Sequence, residues 1–295
     1  NGLPESVGAE TGRASKGAAK MLLSQVYLTR EKWSDAAKEA NDIINSGQYT
    51  LVRVQQPNDF YKIFAVATST EDILSIHHSD SRQSNLPGYL HRPNTPPYNY
   101  SSGGNYAWLP NMSSFLATWD GNDLRRDFNL FTEYTGPNGN PVPVPSATPI
   151  LFKKFITNPS GLATYSDPVF RYAEAFLIFA EADCMSNGAP TTLALERLNA
   201  IKRRAYGYDP LASSPVDYAS GMNKEQFRNT VLMERAYEFI VEGQRWQDLK
   251  RTGTVKQAME AVGRTVIDAR LLWPIPQEEI DNNPDIDQQD QNPGY

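Results

Sequence analysis

The sequence predicts a mostly α-helical protein in which paired helices flank a long irregular, partly β insertion. Two stretches, residues 15–47 and 167–207, each have the pattern of two amphipathic helices joined by a short turn. Between them, residues 80–165 are rich in Pro, Gly, Asn, Ser and aromatic side chains and show few helical periods. The chain is 40% hydrophobic and 21% charged, which is typical of a globular protein.

The first helical pair, residues 15–47, is predicted from its apolar spacing. Apolar residues recur every three or four positions, which places them on one face of each helix. Small alanines on these faces allow two helices to approach closely, and Gly47 ends the second helix. The residues expected to face inward are Ala18, Ala19, Leu22, Leu23, Val26 and Tyr27 in the first helix and Ala36, Ala37, Ala40, Ile43 and Ile44 in the second.

The second helical pair, residues 167–207, repeats this design. Asp167 and Pro168 have the pattern of an N-cap followed by a proline at the first helical position. The helix that follows is expected to end at Gly188, and the second helix of the pair at Gly207.

A further helix is predicted from Lys224 to Lys250, so residues 167–253 form a helical pair and a following helix. Helix pairs of this length resemble tetratricopeptide units, which repeat about every 34 residues. Such units need about three neighbours to close a core, so further repeats are expected upstream of Asn1.

The segment between the helical pairs, residues 71–165, is predicted to be an irregular insertion. It begins with "EDILSIHHS" (71–79), which has the pattern of a short strand. Long irregular segments in compact domains often carry function, and the aromatic content of this one argues against disorder. The tail, residues 254–295, is rich in Pro, Asn and Gln and is expected to run extended over the surface.

Composition excludes several classes of partner and site. The net charge is −6 and no basic stripe is present, so nucleic acid is not an expected partner. No apolar run approaches the ~20 residues that a membrane-spanning helix needs. The single cysteine, Cys184, lies in an apolar helix and is predicted to be a buried thiol.

Metal and cofactor sites are likewise not expected. His77 and His78 are adjacent in a predicted strand and would point to opposite faces. The acidic segment near Asp281 lacks the glycine of an EF-hand loop and has Ile286 at that position. "DGNDLRRD" (120–127) is predicted to be a polar turn, although its carboxylates would also suit a calcium ion.

The stretch "ERAYEFIVEGQRWQDLKRTG" (234–253) concentrates carboxylates and arginines. On one helix, Glu234, Glu238, Glu242 and Arg245 would share a narrow arc, with Arg235 at its margin. Glycosidase carboxylates face each other across a sugar, whereas neighbours on one helix point the same way. We therefore predict a structural ion-pair network and no catalytic pair; it would comprise Glu174, Glu181, Arg235, Glu238, Glu242 and Arg245, with Arg203 and Arg204 as further partners.

The best candidate for ligand contact is the aromatic segment 86–110. Rigid aromatic planes suit the apolar face of a sugar ring, and amide, guanidinium and hydroxyl groups suit its rim. Prolines in the segment restrict it and lower the entropic cost of binding. Trp119 is predicted to lie in the core. The predicted ligand-binding residues are Tyr89, His91, Tyr98, Tyr100, Asn105, Tyr106 and Trp108.

Four stretches resemble the SusD/RagB family of surface glycan-binding lipoproteins: "FRYAEAFLIFAEA", "ALERLNAIKRRAYG", "ERAYEFIVEGQRWQDLKRTG" and "WPIPQEEIDNNPDIDQQDQNPGY". The likeness implies a single domain over residues 1–295 with a tetratricopeptide-like scaffold and a ligand-binding insertion. Family members are about twice this long and carry a lipid-modified cysteine near their start. The chain is therefore expected to be the C-terminal portion of such a protein, without its anchor.

The resemblance implies non-catalytic binding of oligosaccharides at the outer membrane. It also implies delivery to a TonB-dependent transporter of the SusC/RagA type, with membrane contact only through the lipid anchor. Two alternatives remain open: a glycoside hydrolase using carboxylates such as Asp120 and Asp123, and a peptide-binding adaptor of the tetratricopeptide type.

Overall fold

The computed structural model describes residues 2–8, 10–90, 115, 118–131, 133–135, 138–143, 151–158 and 160–295. Its α-helices are α1 (Lys16–Thr29), α2 (Trp33–Ile44), α3 (Tyr61–Phe64), α4 (Leu86–Leu90), α5 (Leu124–Asn129), α6 (Tyr172–Asn187), α7 (Thr192–Ala205), α8 (Lys224–Glu238), α9 (Gln244–Arg251), α10 (Val255–Glu260) and α11 (Gln277–Asn282). Its strands are β1 (Asp72–Ile76), β2 (Leu130–Phe131), β3 (Glu133–Thr135), β4 (Pro141–Pro143), β5 (Leu151–Phe152) and β6 (Asp167–Arg171). Short 3₁₀ helices span Pro57–Phe60, Asp268–Leu271 and Gln288–Asp290.

Helix α6 is the centre of the main core, because it contacts α1, α2, α7 and α8. It carries apolar residues around most of its circumference, as expected of a helix with several neighbours; Ala173, Leu177 and Ile178 are fully buried. Cys184 on the same helix is also fully buried, and burial raises its pKa to about 11. The predicted buried thiol and the mostly α-helical class are both confirmed.

Helix α1 packs through a different stripe from the one predicted. Its buried residues include Ala18, Met21 and Leu28, which contact the main core. Leu22 is 55% exposed, and Ala19, Leu23 and Val26 are also exposed, so their predicted inward position is wrong. The α1 sequence has apolar residues around most of its circumference, and the positions of α2 and α6 decide which of them are buried.

The strand β1 pairs with β6 in an antiparallel ribbon, with Ile76 opposite Asp167 and Ser75 opposite Pro168. The predicted helix start at Asp167 is therefore wrong, since residues 167–171 form this strand and α6 begins at Tyr172. The backbone there is held by β1. A proline fits near the start of an edge strand because it has no N–H to donate.

A second, smaller apolar cluster around Phe128 joins the insertion to residues 54–64 and to Ile240. The ring of Phe60 stacks on that of Phe128 with centroids 5.2 Å apart, and Tyr61 meets it edge-on at 4.9 Å. The β2–β5 and β3–β4 pairs are both antiparallel and short. Buried members of the cluster are Val54, Phe60, Ile63, Phe64, Leu90, Trp119, Phe128, Phe152, Phe155 and Ile240.

A buried network of charges joins these parts of the chain. Glu238 Oε1 on α8 contacts Arg204 Nη2 at 2.6 Å and Arg171 Nη1 at 3.0 Å, and its Oε2 contacts Arg125 Nη1 at 3.2 Å. Arg204 also binds Glu71, which is fully buried. The three arginines come from α5, β6 and α7, so one carboxylate fixes three elements to α8.

The network sets the ionisation of Glu238. Burial alone would raise the pKa of this carboxyl group, but the positive charges of Arg204, Arg171 and Arg125 more than offset burial and hold the pKa well below its ordinary value. Glu238 is therefore a carboxylate at neutral pH.

The predicted helix from Lys224 to Lys250 is interrupted. Helix α8 ends at Glu238, and the backbone then turns through Val241 (φ 57°) and Gly243 (φ 78°) before α9 begins. Glu242 and Arg245 therefore do not continue the helix face of Glu234 and Glu238, and that part of the prediction is wrong. Gly243 provides a left-handed conformation that L side chains rarely adopt.

The partners within the predicted network also differ from expectation. Glu174 contacts Arg235 Nη2 at 3.5 Å and accepts from Gln25 Nε2 at 2.8 Å. Glu181 contacts Arg228 Nε at 3.1 Å. Glu238 pairs with arginines distant in the sequence, whereas Arg235 and Arg245 were expected to be in its network. Glu242 and Arg245 lie beyond the end of α8, on the turn and on α9.

The chain divides into two compact units, one ending at Val241 and one spanning Glu242–Tyr295. The second unit contains α9, α10, α11 and two 3₁₀ turns, so the predicted extended tail is partly helical. Its backbone at Ile275 is clamped by the amide of Gln291, which accepts from Ile275 N at 2.8 Å and donates to Ile275 O at 3.0 Å. Whether the chain is a single functional domain stays a prediction.

No helix within the described residues has the length and apolar character required to cross a bilayer.

We predict that Glu238→Gln lowers the free energy of unfolding by about 3–5 kcal/mol, because it removes a buried negative charge that three buried arginines share. Denaturant unfolding followed by circular dichroism measures this loss. The matched control is Glu225→Gln, an exposed carboxylate in the first turn of the same helix, with an expected loss of about 1 kcal/mol or less. Equal losses in the two variants would contradict the structural role of the network.

The difference between wild type and Glu238→Gln should also depend on pH. The folded-state pKa of Glu238 is depressed, so its contribution is fully present above the ordinary value of 4.5 and is lost as pH falls through the folded pKa. The two proteins should therefore converge in stability as pH falls below about 4.5. A difference that stays constant from neutral pH to acid would argue against ionised Glu238.

Candidate functional site

A pocket of about 360 Å³ opens between α7, α8 and the loop before α5. Its volume lies within the roughly 300–1,000 Å³ range of small-molecule sites. On α8, residues 230, 233, 234 and 237 follow helical spacing, so one face of that helix forms a wall. The lining residues are Thr118, Trp119, Asp120, Asp123, Arg125, Lys202, Tyr206, Tyr218, Asn229, Thr230, Met233, Glu234 and Tyr237.

The wall of the pocket is a stack of aromatic rings. Trp119 stacks on Tyr237 with centroids 4.8 Å apart and planes inclined by 23°, and Phe115 meets Trp119 edge-on at 5.4 Å. Trp119 is only 2% exposed and donates from Nε1 to Asp123 Oδ2 at 2.9 Å. Its predicted core position is confirmed: it supports the wall from behind, and Tyr237 forms the surface in front.

Three half-buried tyrosines face the pocket with their hydroxyl groups already engaged. Tyr206 donates to Asp120 Oδ2 at 3.1 Å, Tyr218 to Glu234 Oε2 at 2.9 Å, and Tyr237 to the carbonyl oxygen of Thr118 at 3.1 Å. Burial, followed by nearby carboxylates, raises the pKa of Tyr206 and Tyr218 well above the ordinary value. The phenols therefore stay protonated at neutral pH, and the rings are held in position before any ligand arrives.

Two of the three carboxylates in the pocket wall are neutralised internally. Asp123 caps α5 through Arg125 N and contacts Arg125 Nη2 at 2.6 Å. Glu234 Oε1 lies 2.7 Å from Arg125 Nη1, as an ion pair rather than an aligned hydrogen bond. Burial, opposed by Arg125, raises the pKa of Glu234. Asp123 and Glu234 are each 1% exposed, so neither presents its carboxylate freely to the cavity.

Asp120 and Lys202 are the charged groups of the described lining that solvent reaches. A backbone hydrogen bond from Asn122, which outweighs slight burial, lowers the pKa of Asp120. Lys202 Nζ lies 3.6 Å from the centroid of the Tyr218 ring, a cation–π contact, and burial lowers its pKa. The pocket therefore combines aromatic surface with one acidic and one basic group at its edge.

A larger cleft, of about 630 Å³, lies beside β1 and the residues 6–11. Among the described residues that line it, Tyr49 is the one aromatic side chain, and its ring centroid lies 5.8 Å from that of Tyr172. The remaining lining is mostly short polar side chains and backbone. We take the 360 Å³ pocket as the better candidate because it alone of the two presents several rings.

Most of the ligand contacts predicted from the sequence fall on a part of the chain that the structure does not describe. Tyr89 lies in α4 and is 52% exposed. The other predicted residues lie outside the described ranges, and their role stays a prediction: His91, Tyr98, Tyr100, Asn105, Tyr106 and Trp108.

The pocket includes residues that sequence reasoning missed. Lys202 and Tyr206 are at the end of α7, Tyr218 is in the following loop, and Tyr237 is on α8. No short motif joins them, because the packing of α7 against α8 brings them together. The only sequence signal is the helical spacing of Thr230, Glu234 and Tyr237, which places them on one face.

Within the described residues, no group of three or more His, Cys, Asp and Glu side chains is arranged to hold a metal ion. The two adjacent histidines have separate partners. His77 contacts Thr11 Oγ1 and Ser166 Oγ, each at 3.0 Å, and His78 Nε2 lies 2.8 Å from Asp167 Oδ2.

Comparison with known proteins assigns the family. A family model described as the SusD family matches residues 129–295. The chain belongs to the SusD family. SusD-like protein P2 of Formosa agariphila is 26% identical over 95% of this chain and 60% of its own length. The chain therefore spans somewhat less than two thirds of this relative.

Solved structures of SusD-like proteins share the fold. A SusD superfamily protein from Parabacteroides distasonis superposes with a TM-score of 0.77 at 23% identity, covering 99% of this chain and 65% of the other. Surface glycan-binding protein A from Bacteroides thetaiotaomicron, in complex with laminarihexaose, superposes with a TM-score of 0.71 at 22% identity, covering 95% and 64%. At this identity the likeness establishes a SusD fold.

We predict that the two aspartates of the pocket loop differ in their effect on stability. Asp123→Asn keeps an N-cap residue but removes a buried charge from Arg125, and should cost about 3 kcal/mol. Asp120→Asn changes an exposed carboxylate and should cost less than about 1 kcal/mol. Thermal unfolding of both variants tests the contrast; a larger loss for Asp120→Asn would contradict the arrangement described above.

Proposed function

We propose that this chain binds oligosaccharides without cleaving them. The observation that carries the proposal is the preformed aromatic pocket, in which Tyr206, Tyr218 and Tyr237 are held by hydrogen bonds before a ligand arrives. Sugar rings have an apolar face that suits such rings and hydroxyl groups that suit the polar groups beside them. Pre-organisation lowers the entropic cost of binding.

Family membership supports the same proposal. A SusD-fold protein of similar architecture has been solved with laminarihexaose bound. In the full-length protein we place this chain at the outer membrane of the cell surface, held by a lipid anchor. There it would deliver glycan to a TonB-dependent transporter of the SusC/RagA type. The predicted aromatic residues of segment 86–110 would extend the binding surface, since that segment leads along the chain into the pocket loop at Phe115 and Thr118.

The charges of the pocket favour binding over hydrolysis. A glycosidase acid needs a raised pKa and direct access to the glycosidic oxygen. Asp120 has access but a lowered pKa. Glu234 has a raised pKa but is 1% exposed, and Asp123, also 1% exposed, is bound by Arg125. The two requirements are met by different residues, so the pair Asp120 and Asp123 is a poor acid and nucleophile.

The binding site is tested by calorimetry with a panel of oligosaccharides, including laminarihexaose, and with peptides as competitors. Tyr206→Ala should lower the affinity for the best ligand about tenfold, equivalent to about 1.4 kcal/mol, because one stacking surface is lost. The matched control is Tyr208→Ala, which removes an exposed ring two residues away that does not line the pocket.

The same panel separates the two parts of the proposed surface. Tyr106→Ala and Trp108→Ala should also weaken binding. If these two variants lose affinity and Tyr206→Ala does not, the pocket is the wrong site although glycan binding stands. If peptides bind and no glycan binds at any concentration tested, the adaptor alternative replaces the proposal.

Absence of catalysis is tested by incubating the wild-type protein with each bound glycan and measuring new reducing ends. We expect none above the rate without protein. Release that disappears in both Asp120→Asn and Glu234→Gln would establish a hydrolase and overturn the proposal. Release unaffected by these variants would indicate a contaminating enzyme, which repeated purification should remove.

A further inference from the structure

The charges that a ligand meets in the described lining are one carboxylate and one ammonium group. Asp123, Glu234 and Arg125 are at most 2% exposed, and both carboxylates contact Arg125. Asp120 is exposed and Lys202 is partly exposed, and both line the same 360 Å³ cavity. Two opposite charges in so small a space act together on any bound group.

Asp120 is held rigidly and retains capacity to accept hydrogen bonds. Its Oδ1 accepts from Asn122 N at 2.9 Å and from Asn122 Nδ2 at 3.1 Å, and its Oδ2 accepts from Tyr206 Oη at 3.1 Å. A carboxylate has about four acceptor positions. Oδ2 can therefore accept a second donor, from a ligand, without giving up the bond to Tyr206.

Lys202 is the complementary donor. Its Nζ lies over the Tyr218 ring at 3.6 Å and within 5.8 Å of the Tyr206 ring. Among the described residues, no acceptor makes a hydrogen bond or an ion pair with this ammonium group. Its three N–H donors are available to a ligand oxygen, and the two tyrosine rings restrict where that oxygen lies.

From this pairing we infer that the pocket selects electrically neutral sugar rings over acidic and amino sugars. One ligand hydroxyl donates to Asp120 while another accepts from Lys202, so a neutral polyol satisfies both groups at once. A uronate or sulfate group that pairs with Lys202 is opposed by Asp120, and a protonated amino group that pairs with Asp120 is opposed by Lys202. Attraction and repulsion therefore offset each other for a charged ring, while the free-energy cost of removing its charge from water remains. The inference rests on the proposed function and specifies its ligand class.

The test is calorimetry at one ionic strength with three hexasaccharide probes: a neutral glucan, an oligogalacturonide and a fully deacetylated chitosan oligomer. The neutral probe should bind at least about tenfold more tightly than either charged one. Asp120→Asn, which keeps the shape of the side chain, should raise affinity for the oligogalacturonide about tenfold. Lys202→Met, which keeps the aliphatic stem, should raise the affinity for the chitosan oligomer and lower the affinity for the neutral glucan.

The control is Asp127→Asn, an exposed carboxylate on α5 that does not line the pocket and should leave all three affinities unchanged. Circular dichroism verifies that each variant is folded. If glycans bind and either charged probe matches the neutral one, or if neither pocket variant alters the ranking, the inference is overturned and glycan binding stands. If no glycan of any class binds, the proposed function fails and the inference fails with it.

Discussion

The buried contact between glutamates of α8 and arginines from three other elements is the interaction on which the structure depends. Charges at most 3% exposed are stable only when each has a partner. The geometry of the partners therefore specifies how α5, β6 and α7 sit on α8. Apolar packing around α6 supplies most of the driving force for folding, but apolar side chains can be rearranged at a small cost. A buried charge that loses its partner costs much more. The residues of this network are Glu71, Arg125, Arg171, Arg204, Glu234 and Glu238.

The same network positions the candidate site, and its two members in the pocket lining, Arg125 and Glu234, are almost fully buried. Arg125 is shared between Glu238 on the inner side and Asp123 on the side of the pocket loop. Asp123 in turn holds the indole of Trp119, and Trp119 supports the ring of Tyr237. A chain of polar and aromatic contacts thus links the buried charges to the exposed tyrosine wall. The wall is rigid because its supports are buried, which suits recognition of a rigid sugar ring.

The position of each charge, buried in the interior or accessible in the pocket, also explains why the site suits binding rather than catalysis. Neutralised pairs inside leave Asp120 and Lys202 as the exposed charges of the described lining. A carboxylate with a lowered pKa accepts hydrogen bonds well and protonates a leaving group poorly. The chemistry of the pocket is therefore that of recognition: aromatic planes, fixed acceptors and one flexible donor.

The sequence by itself determined the helical class, the buried position of Cys184 and Trp119, and the family, because these depend on local periodicity and on motifs. It misplaced the start of α6 and the end of α8, where pairing with β1 and a left-handed turn at Gly243 override local preference. Only the tertiary structure decided which arginines meet Glu238 and which tyrosines meet in one pocket. The contacts of Glu238 join residues more than thirty positions apart, and the pocket tyrosines come from α7, a loop and α8. Local sequence patterns do not determine which distant elements pack together.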